Sequence, residues 1–319
     1  MTSHQYIGVD VGGTKIAVTT MLDGQLSPPV VEPTELGDSA ALIEQLITLI
    51  EGVRSPSARA VGIGVPSIVE FATGRIRHSV NIPLADVPLR DLLTERLGMP
   101  VYVDNDANCA ALAEAYDGNQ LTGTQLVMIT VGTGVGGGLV LNGRLFRGAT
   151  GAAPELGHTT IGLDLRDGAP PLTEWPRAGS LEALASGSAL DELAQAAAEA
   201  HPDSALGRIL AADGEVSGPD AVTAAAAGDA VAIDVMTVLG QRLGIGIANV
   251  INLFDPFEVV IGGGVSSAGE LLLGPAREAA ARYTLPGVGT RTEIRLARHG
   301  TAAGVLGAAL LAAHEEEQP

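Results

Sequence analysis

The first apolar run, Tyr6 to Asp10, reads as a β-strand. After Val11, Gly12, Gly13 and Thr14 the same pattern resumes from Lys15 to Met21, turns at Asp23-Gly24 and continues from Leu26. Two β-runs flanking a tight glycine turn predict a hairpin, then a meander. Leu36 to Val53 reads as a helix, because Leu42, Leu46, Ile47 and Ile50 fall on one stripe. There follow a buried strand over Ala60–Gly64 stopped by Pro66, and a helix over Val87–Leu97 ended by Gly98 and Pro100. A short strand, Val101–Val103, runs through Asp104-Asn105-Asp106 into a helix from about Ala107 to Tyr116.

Gly118–Gly123 reads as a loop and a domain boundary. Beyond it the opening plan recurs: a strand Gln125–Val131, the turn Gly132-Thr133-Gly134, a strand Gly138–Leu141, the turn Asn142-Gly143, and Arg144–Phe146. This is an internal duplication into two related lobes rather than a short-period array. Thr159–Gly179 is a polar, proline-rich loop. A helical region spans Leu181–Ile251 with a turn near Ser217-Gly218-Pro219, and a strand Val259–Ile261 enters Gly262-Gly263-Gly264. A helix Glu270–Tyr283, a strand Glu293–Leu296 and a helix Ala302–His314 close the chain, and the tail Glu315–Pro319 is expected to be disordered. Strands mixed with long helices predict α/β architecture. The expected lobes are residues 1–117, joined by a C-terminal helix within 301–319, and residues 118–300.

The 319 residues suffice for one large domain or two ordinary ones, and 46% hydrophobic content excludes a disordered chain. With 18 basic and 37 acidic residues the net charge is −19. That argues against nucleic acid and against anionic membranes as partners. No run of about 18 apolar residues appears, so no membrane-spanning helix is expected. The start MTSHQYIGVD lacks the pattern of a signal peptide, and a cytoplasmic protein is expected. One cysteine, Cys109, excludes an internal disulfide and a multi-cysteine metal site.

Four glycine-rich turns follow apolar strands: Asp10–Thr14, Gly62–Pro66, Gly132–Gly138 and Gly262–Gly264. Glycine lets backbone N–H groups approach an anion closely, and recurrence at strand ends beside Asp and Thr predicts phosphate binding. Gly132, Gly134 and Gly137 fit a G-x-G-x-x-G spacing, but Leu139–Leu141 continues as a strand where a dinucleotide fold needs a helix. The only lysine lies in Gly13-Thr14-Lys15, which is not a P-loop. Phosphates are therefore expected on hairpin turns.

Asp10–Lys15 (DVGGTK), Val103–Asn108 (VDNDAN), Ile129–Gly138 (ITVGTGVGGG) and Pro154–His158 (PELGH), in that order, resemble the ROK family of sugar kinases. That family belongs to the actin/hexokinase/Hsp70 superfamily. The resemblance covers essentially the whole chain. It implies a two-lobed actin-like (ribonuclease H-like) α/β fold with a cleft between lobes, ATP and Mg²⁺ as cofactors, and phosphorylation of the primary (6-) hydroxyl of a hexose, by default glucose. It places Asp10, Gly12, Gly13, Thr14 and Lys15 at the first phosphate hairpin, with Asp10 near the Mg²⁺. Gly132, Thr133 and Gly134 correspond to the second hairpin, and Gly262, Gly263 and Gly264 to the turn under the adenosine. Asp106 corresponds to the catalytic base and Asn105 to a sugar ligand. Glu155, His158 and Glu182 match ligands of the sugar hydroxyls, and Gly74, Arg75 and Asn81 border the sugar. The family is commonly dimeric or tetrameric. These roles suit the residue types, since phosphoryl transfer to a hydroxyl needs positioning, a metal and a base. A carboxylate at a helix start also caps it.

The chain departs from the family pattern where relatives bind a structural zinc through one His and three Cys. Counting back from Glu182, Thr173, Trp175 and Ser180 occupy the cysteine positions, so no zinc is expected. Trp175, the only tryptophan, either packs in that space or faces the substrate. Ser67 stands where a Gly is usual. The acidic loop with Asp164, Asp167 and Glu174 leaves room for an aminosugar (kanosamine-like) or a C7 cyclitol. A different class is also open, a sugar-binding regulator without catalysis. The family's repressors carry a DNA-binding helix-turn-helix ahead of the first motif; here nine residues precede Asp10 and the charge is −19.

Overall fold

The glycine turn at Gly12–Thr14 joins β1 (Gln5–Val11) to β2 (Lys15–Leu22). In chain order there follow β3 (Gln25–Leu26), β4 (Val30–Pro33), α1 (Ser39–Val53), β5 (Ala58–Val65), β6 (Ser67–Glu70), β7 (Arg75–Ser79), α2 (Leu89–Leu97), β8 (Val101–Asn105), α3 (Asp106–Ala115), β9 (Tyr116–Asp117) and β10 (Gln120–Leu121). Next come β11 (Gln125–Val131), β12 (Val135–Leu141), β13 (Arg144–Leu145), α4 (Leu181–Ala185), α5 (Gly187–Ala200), α6 (Ala205–Asp213), α7 (Gly218–Ala226) and α8 (Ala230–Phe254). The last are β14 (Glu258–Gly262), α9 (Glu270–Tyr283), β15 (Glu293–Leu296) and α10 (Ala303–Glu317). This computed structural model describes residues 4–79, 81–118, 120–171 and 175–317. They fall into two compact units: Met1–Met128 with Gly138–Pro154 and Arg298–Pro319, and Ile129–Gly137 with Glu155–Ala297.

In the first unit the sheet order is β3-β2-β1-β5-β8, with β4 also paired to β2. β1 is antiparallel to β2, with Asp10 opposite Ala17, and parallel to β5. Parallel strands are covered on both faces, which is why β5 reads as an unbroken apolar run. Leu42, Leu46 and Ile50 of α1 cover one face and are fully buried. α1 begins at Ser39 rather than Leu36, because the Asp38 carboxylate caps it, accepting the Ala41 N–H at 2.8 Å. α10 packs on the other face through glycines: a Cβ on Gly8 would stand 2.7 Å from Ala309 N. Gly62 sits within β5 and leaves room for Ala308 of α10, so Gly62–Pro66 is a packing site and not a phosphate turn. Gly138 likewise lies within β12, where a Cβ would meet that of Ala111 at 2.6 Å, and the second glycine turn ends at Gly134. The β6–β7 hairpin went unread because its strands are short and half polar. The tail is also more ordered than expected: Glu315 pairs with Arg147 at 2.8 Å, Tyr102 Oη donates to Glu316, and α10 runs to Glu317.

The second sheet runs β13-β12-β11-β14-β15. Each sheet thus begins with a meander whose first strand lies inside, followed by two later strands. β1 and β11 even share one alternation of buried and half-buried positions. In the second unit the helical stretch divides into α4 to α8. Ser186, Ser204 and Asp229 cap α5, α6 and α8, and Ser217 forms a capping box with Asp220 at α7. α8 is long and apolar enough to cross a membrane by length and composition, which the reading of uninterrupted runs did not register. It serves as a packing spine: Gly240 and Gly244 open one face to α9, where a Cβ on Gly244 would stand 2.6 Å from that of Ala279.

Candidate active site

In the first unit Asp10 is the penultimate residue of β1, just ahead of the hairpin turn. Within the turn Gly12 N–H donates to Lys15 O at 2.9 Å. The turn is braced from behind by Thr34, whose hydroxyl donates to Gly12 O at 2.7 Å. Burial pushes the Asp10 carboxyl up, and Lys15 partly offsets that. Gly304 of α10 makes room for this carboxylate: a Cβ there would fall 2.9 Å from Asp10 Oδ1. Asn81 lies against the same turn, with its Cβ 3.3 Å from where a Cβ on Gly13 would stand.

The end of β8 places the acidic segment. Asn105 caps α3, its Oδ1 accepting from Ala107 N–H at 2.9 Å, while its Nδ2 donates to Ser67 O at 3.3 Å. Asp106 opens α3, and its carboxylate accepts from Ala107 N–H at 2.8 Å. Beneath them Asp104 is buried, and sequence reasoning gave it no role. One of its oxygens accepts from Asn105 N–H and Asn108 Nδ2, both at 2.8 Å, and the other takes Arg147 Nε at 2.6 Å. Arg147 also lies 3.5 Å over the Phe71 ring. No spacing in the sequence marks Arg147 as the partner of a residue so far back. Gly74 and Arg75 sit at the turn of the β6–β7 hairpin, whereas Ser67 pairs with Ser79 at its opposite end, beside Asn105. The Arg75 guanidinium is engaged by Asp86 at 2.7 Å.

In the second unit Gly132 N–H donates to Gly134 O at 2.9 Å, and Gly187 N–H and Ser188 Oγ donate to Gly132 O (2.6 Å) and Thr133 O (3.0 Å). Val135 N–H donates to Glu182 Oε2 at 2.8 Å, so Glu182 closes on this hairpin. A cavity of about 460 Å³ opens beside Gly132 and Thr133. Leu190, Val222 and Val265 give it apolar walls, Gly264 borders it, and the starts of α5 and α7 supply Ser188 and Gly218. Asp191 lines it while accepting from Gly218 N–H at 2.6 Å. Gly263, at φ 84°, packs against the Val131 backbone. The helix starts at Gly187 and Gly218 went unread as site elements, although Ser at the cap before each was the available signal.

Glu155 precedes and His158 ends a single 3-10 turn, Leu156–His158, with 3.7 Å between carboxylate and imidazole. Its middle residue is glycine because a Cβ there would run into the Val135 backbone, and Leu156 packs against Gly137. The sequence motif is therefore docked directly on the second hairpin's outgoing strand. Of the three residues at the expected cysteine positions, Thr173 lies outside the described residues, as does Glu174. Ser180 caps α4, and Trp175 lies against His158 with ring centroids 4.9 Å apart. Among the described residues no three His, Cys, Asp or Glu side chains gather as a metal site.

Two hairpins of one plan, an acidic helix start and a Glu-x-Gly-His turn coincide with the ROK family model, which matches residues 6–315. The chain belongs to the ROK family. This ROK protein is 38% identical over 324 residues to the glucokinase of Halalkalibacterium halodurans, covering 99% of this chain and 97% of the relative. To the glucokinase of Streptomyces coelicolor it is 35% identical, over 96% of each chain. Among solved structures, the ROK glucokinase of Streptomyces griseus in complex with glucose and AMPPNP is 33% identical and shares the fold with a TM-score of 0.78, covering 97% of this chain and 99% of that one.

Proposed function

We infer that this ROK protein is an ATP-dependent kinase that transfers a phosphoryl group to the 6-hydroxyl of a hexose, glucose by default. The observation that carries the reading is the cavity beside Gly132 and Thr133. It has the size of a small-ligand site, has apolar walls for a base, and borders the glycine turn at Gly132 and Thr133, where the backbone can approach a phosphate closely. Likeness to glucokinases over nearly the whole chain supports it. In this reading Gly132, Thr133 and Gly134 hold phosphate, and Gly262, Gly263 and Gly264 border the adenosine. Asp10 and the Gly12–Lys15 turn serve the phosphates from the first unit. Asp106 takes the proton of the attacking hydroxyl, and Asn105, Asn81, Glu155, His158 and Glu182 hold the sugar. Gly74 and Arg75, the latter paired with Asp86, border the sugar.

Among the described residues no group of three His, Cys, Asp or Glu side chains includes the half-buried Asp10 carboxylate, and a single carboxylate fits Mg²⁺, which keeps most of its shell as water and phosphate oxygens. Asp10 would hold it, and it would neutralise charge on the phosphates. Zinc does not fit: Trp175 and Ser180 offer no thiolate, and the Ser180 hydroxyl is already used as a cap. A cytoplasmic homo-oligomer without nucleic-acid or membrane partners completes the reading.

The aminosugar and cyclitol alternatives rested on an acidic loop. Asp164 is paired with Arg166, whose positive charge offsets that of the carboxylate and leaves less net negative charge there to attract an amine. Incubation with Mg²⁺-ATP and a panel of glucose, mannose, N-acetylglucosamine, an aminosugar and a cyclitol, followed by ³¹P NMR, tests the reading. A 6-phosphate signal on glucose is expected. Sugar binding without any turnover would favour the regulator. In the same preparation, metal analysis should find far less than one zinc per chain.

A further inference from the structure

His158 has an unusual environment for a residue that must present a ring nitrogen to a ligand. Such imidazoles are normally fixed by a hydrogen bond at the other nitrogen. Here no hydrogen bond from a described residue reaches either ring nitrogen, and Glu155 stands off at 3.7 Å. The ring instead meets Trp175, edge to face, at 4.9 Å and 71°. Trp175 is itself held by Arg177, whose guanidinium carbon lies 4.4 Å from its ring. The loop bearing both is closed at its neck: Ile161 N–H donates to Gly179 O and Leu181 N–H to Thr159 O, both at 2.8 Å. Trp175 nonetheless remains 65% exposed. An indole left this open stabilises the core little, but it restricts the neighbouring ring.

We propose that Trp175 is a positioning residue for the sugar acceptor, orienting the His158 imidazole through the Arg177–Trp175–His158 stack. The inference rests on the assignment of His158 to the sugar. An aromatic pair of this geometry contributes on the scale of a few-fold in binding. Loss of the indole thus loosens His158 without touching the phosphates.

The test compares Trp175→Ala, Trp175→Phe, His158→Ala and the double variant in steady-state kinetics. Trp175→Ala should raise the glucose KM about three- to tenfold, with kcat and the ATP KM nearly unchanged. Trp175→Phe should recover most of the loss. In the His158→Ala background, removing Trp175 should add almost nothing, because the two act as one unit. A normal glucose KM in Trp175→Ala, or a full additional effect in the double variant, overturns the inference while leaving the kinase reading in place. A normal glucose KM in His158→Ala removes the assignment of His158 to the sugar, and the inference with it. Should Trp175→Ala misfold, the wild type answers the same question, since Trp175 is the only tryptophan. Its emission should change on glucose titration with a midpoint near the KM, and a flat response overturns the proposal.

Discussion

The two glycine hairpins follow one plan but are supported differently. Behind the first stand a threonine and an edge strand, and beside it the half-buried carboxylate of Asp10. Behind the second stand a helix start, through Gly187 and Ser188, and the carboxylate of Glu182 on the outgoing backbone. The space around them differs too. A Cβ on Gly12 would meet only Lys15 O at 3.0 Å, whereas one on Gly134 would overlap the Glu182 carboxylate. The first hairpin is thus constrained by charge and the second by volume. One turn chemistry is supported in two ways because the chain that returns behind it differs.

Asp106 belongs to neither hairpin and sets the upper bound. Asp106→Asn should lower kcat by ~10²–10⁴-fold with glucose binding retained, as expected for loss of a general base. Near-normal turnover would remove that role. Next comes Gly134→Ala. Overpacking against Glu182 should raise the ATP KM on the order of tenfold or more, against about two- to threefold for Gly12→Ala. Equal effects in parallel assays would erase the distinction between the hairpins. Glu182→Ala should raise the KM values of both ATP and glucose, each by roughly tenfold, since a charge-assisted bond to Val135 N–H is lost along with the proposed contact to the sugar. A change confined to glucose would show that the bond to the hairpin does not matter.

The smallest effect is on stability. The Asp10 carboxyl is pushed up by burial, so its ionised form opposes folding. That penalty is full above its raised folded value and vanishes below the ordinary carboxylate range, so its contribution to stability falls as pH rises through that interval. Asp10→Asn should therefore raise Tm by roughly 1–3 °C at neutral pH, with the gain shrinking on acidification, while activity falls. Calorimetry across pH checks this; a lower Tm at neutral pH would mean that the carboxylate stabilises the fold.

Much of the local structure of the candidate site was legible. The hairpins, the acidic helix start and the Glu-x-Gly-His turn are local, and each is encoded within a few consecutive residues. Arg147 was not legible, because an Arg that pairs with Asp104 and Glu315 is one of 17 arginines and nothing near it in sequence differs. Gly62 was misread because a strand glycine that admits a helix has the same letter as one that admits an anion. The cavity walls from α5 and α7 were missed because an apolar residue lining a pocket has the same helical period as one filling a core.

The α/β alternation, the duplicated meander and the family are written in the residues alone. Periodicity and turn residues act over a few positions, and those signals survive without any partner. Only tertiary structure decided which carboxylates are buried and what each hairpin leans on. It also decided that Trp175 meets His158, and that α8 is the packing spine of the second unit. Those outcomes depend on which surfaces meet after folding. Burial, and with it the energy of a charge or the tolerance of a glycine, belongs to that meeting and not to the residue.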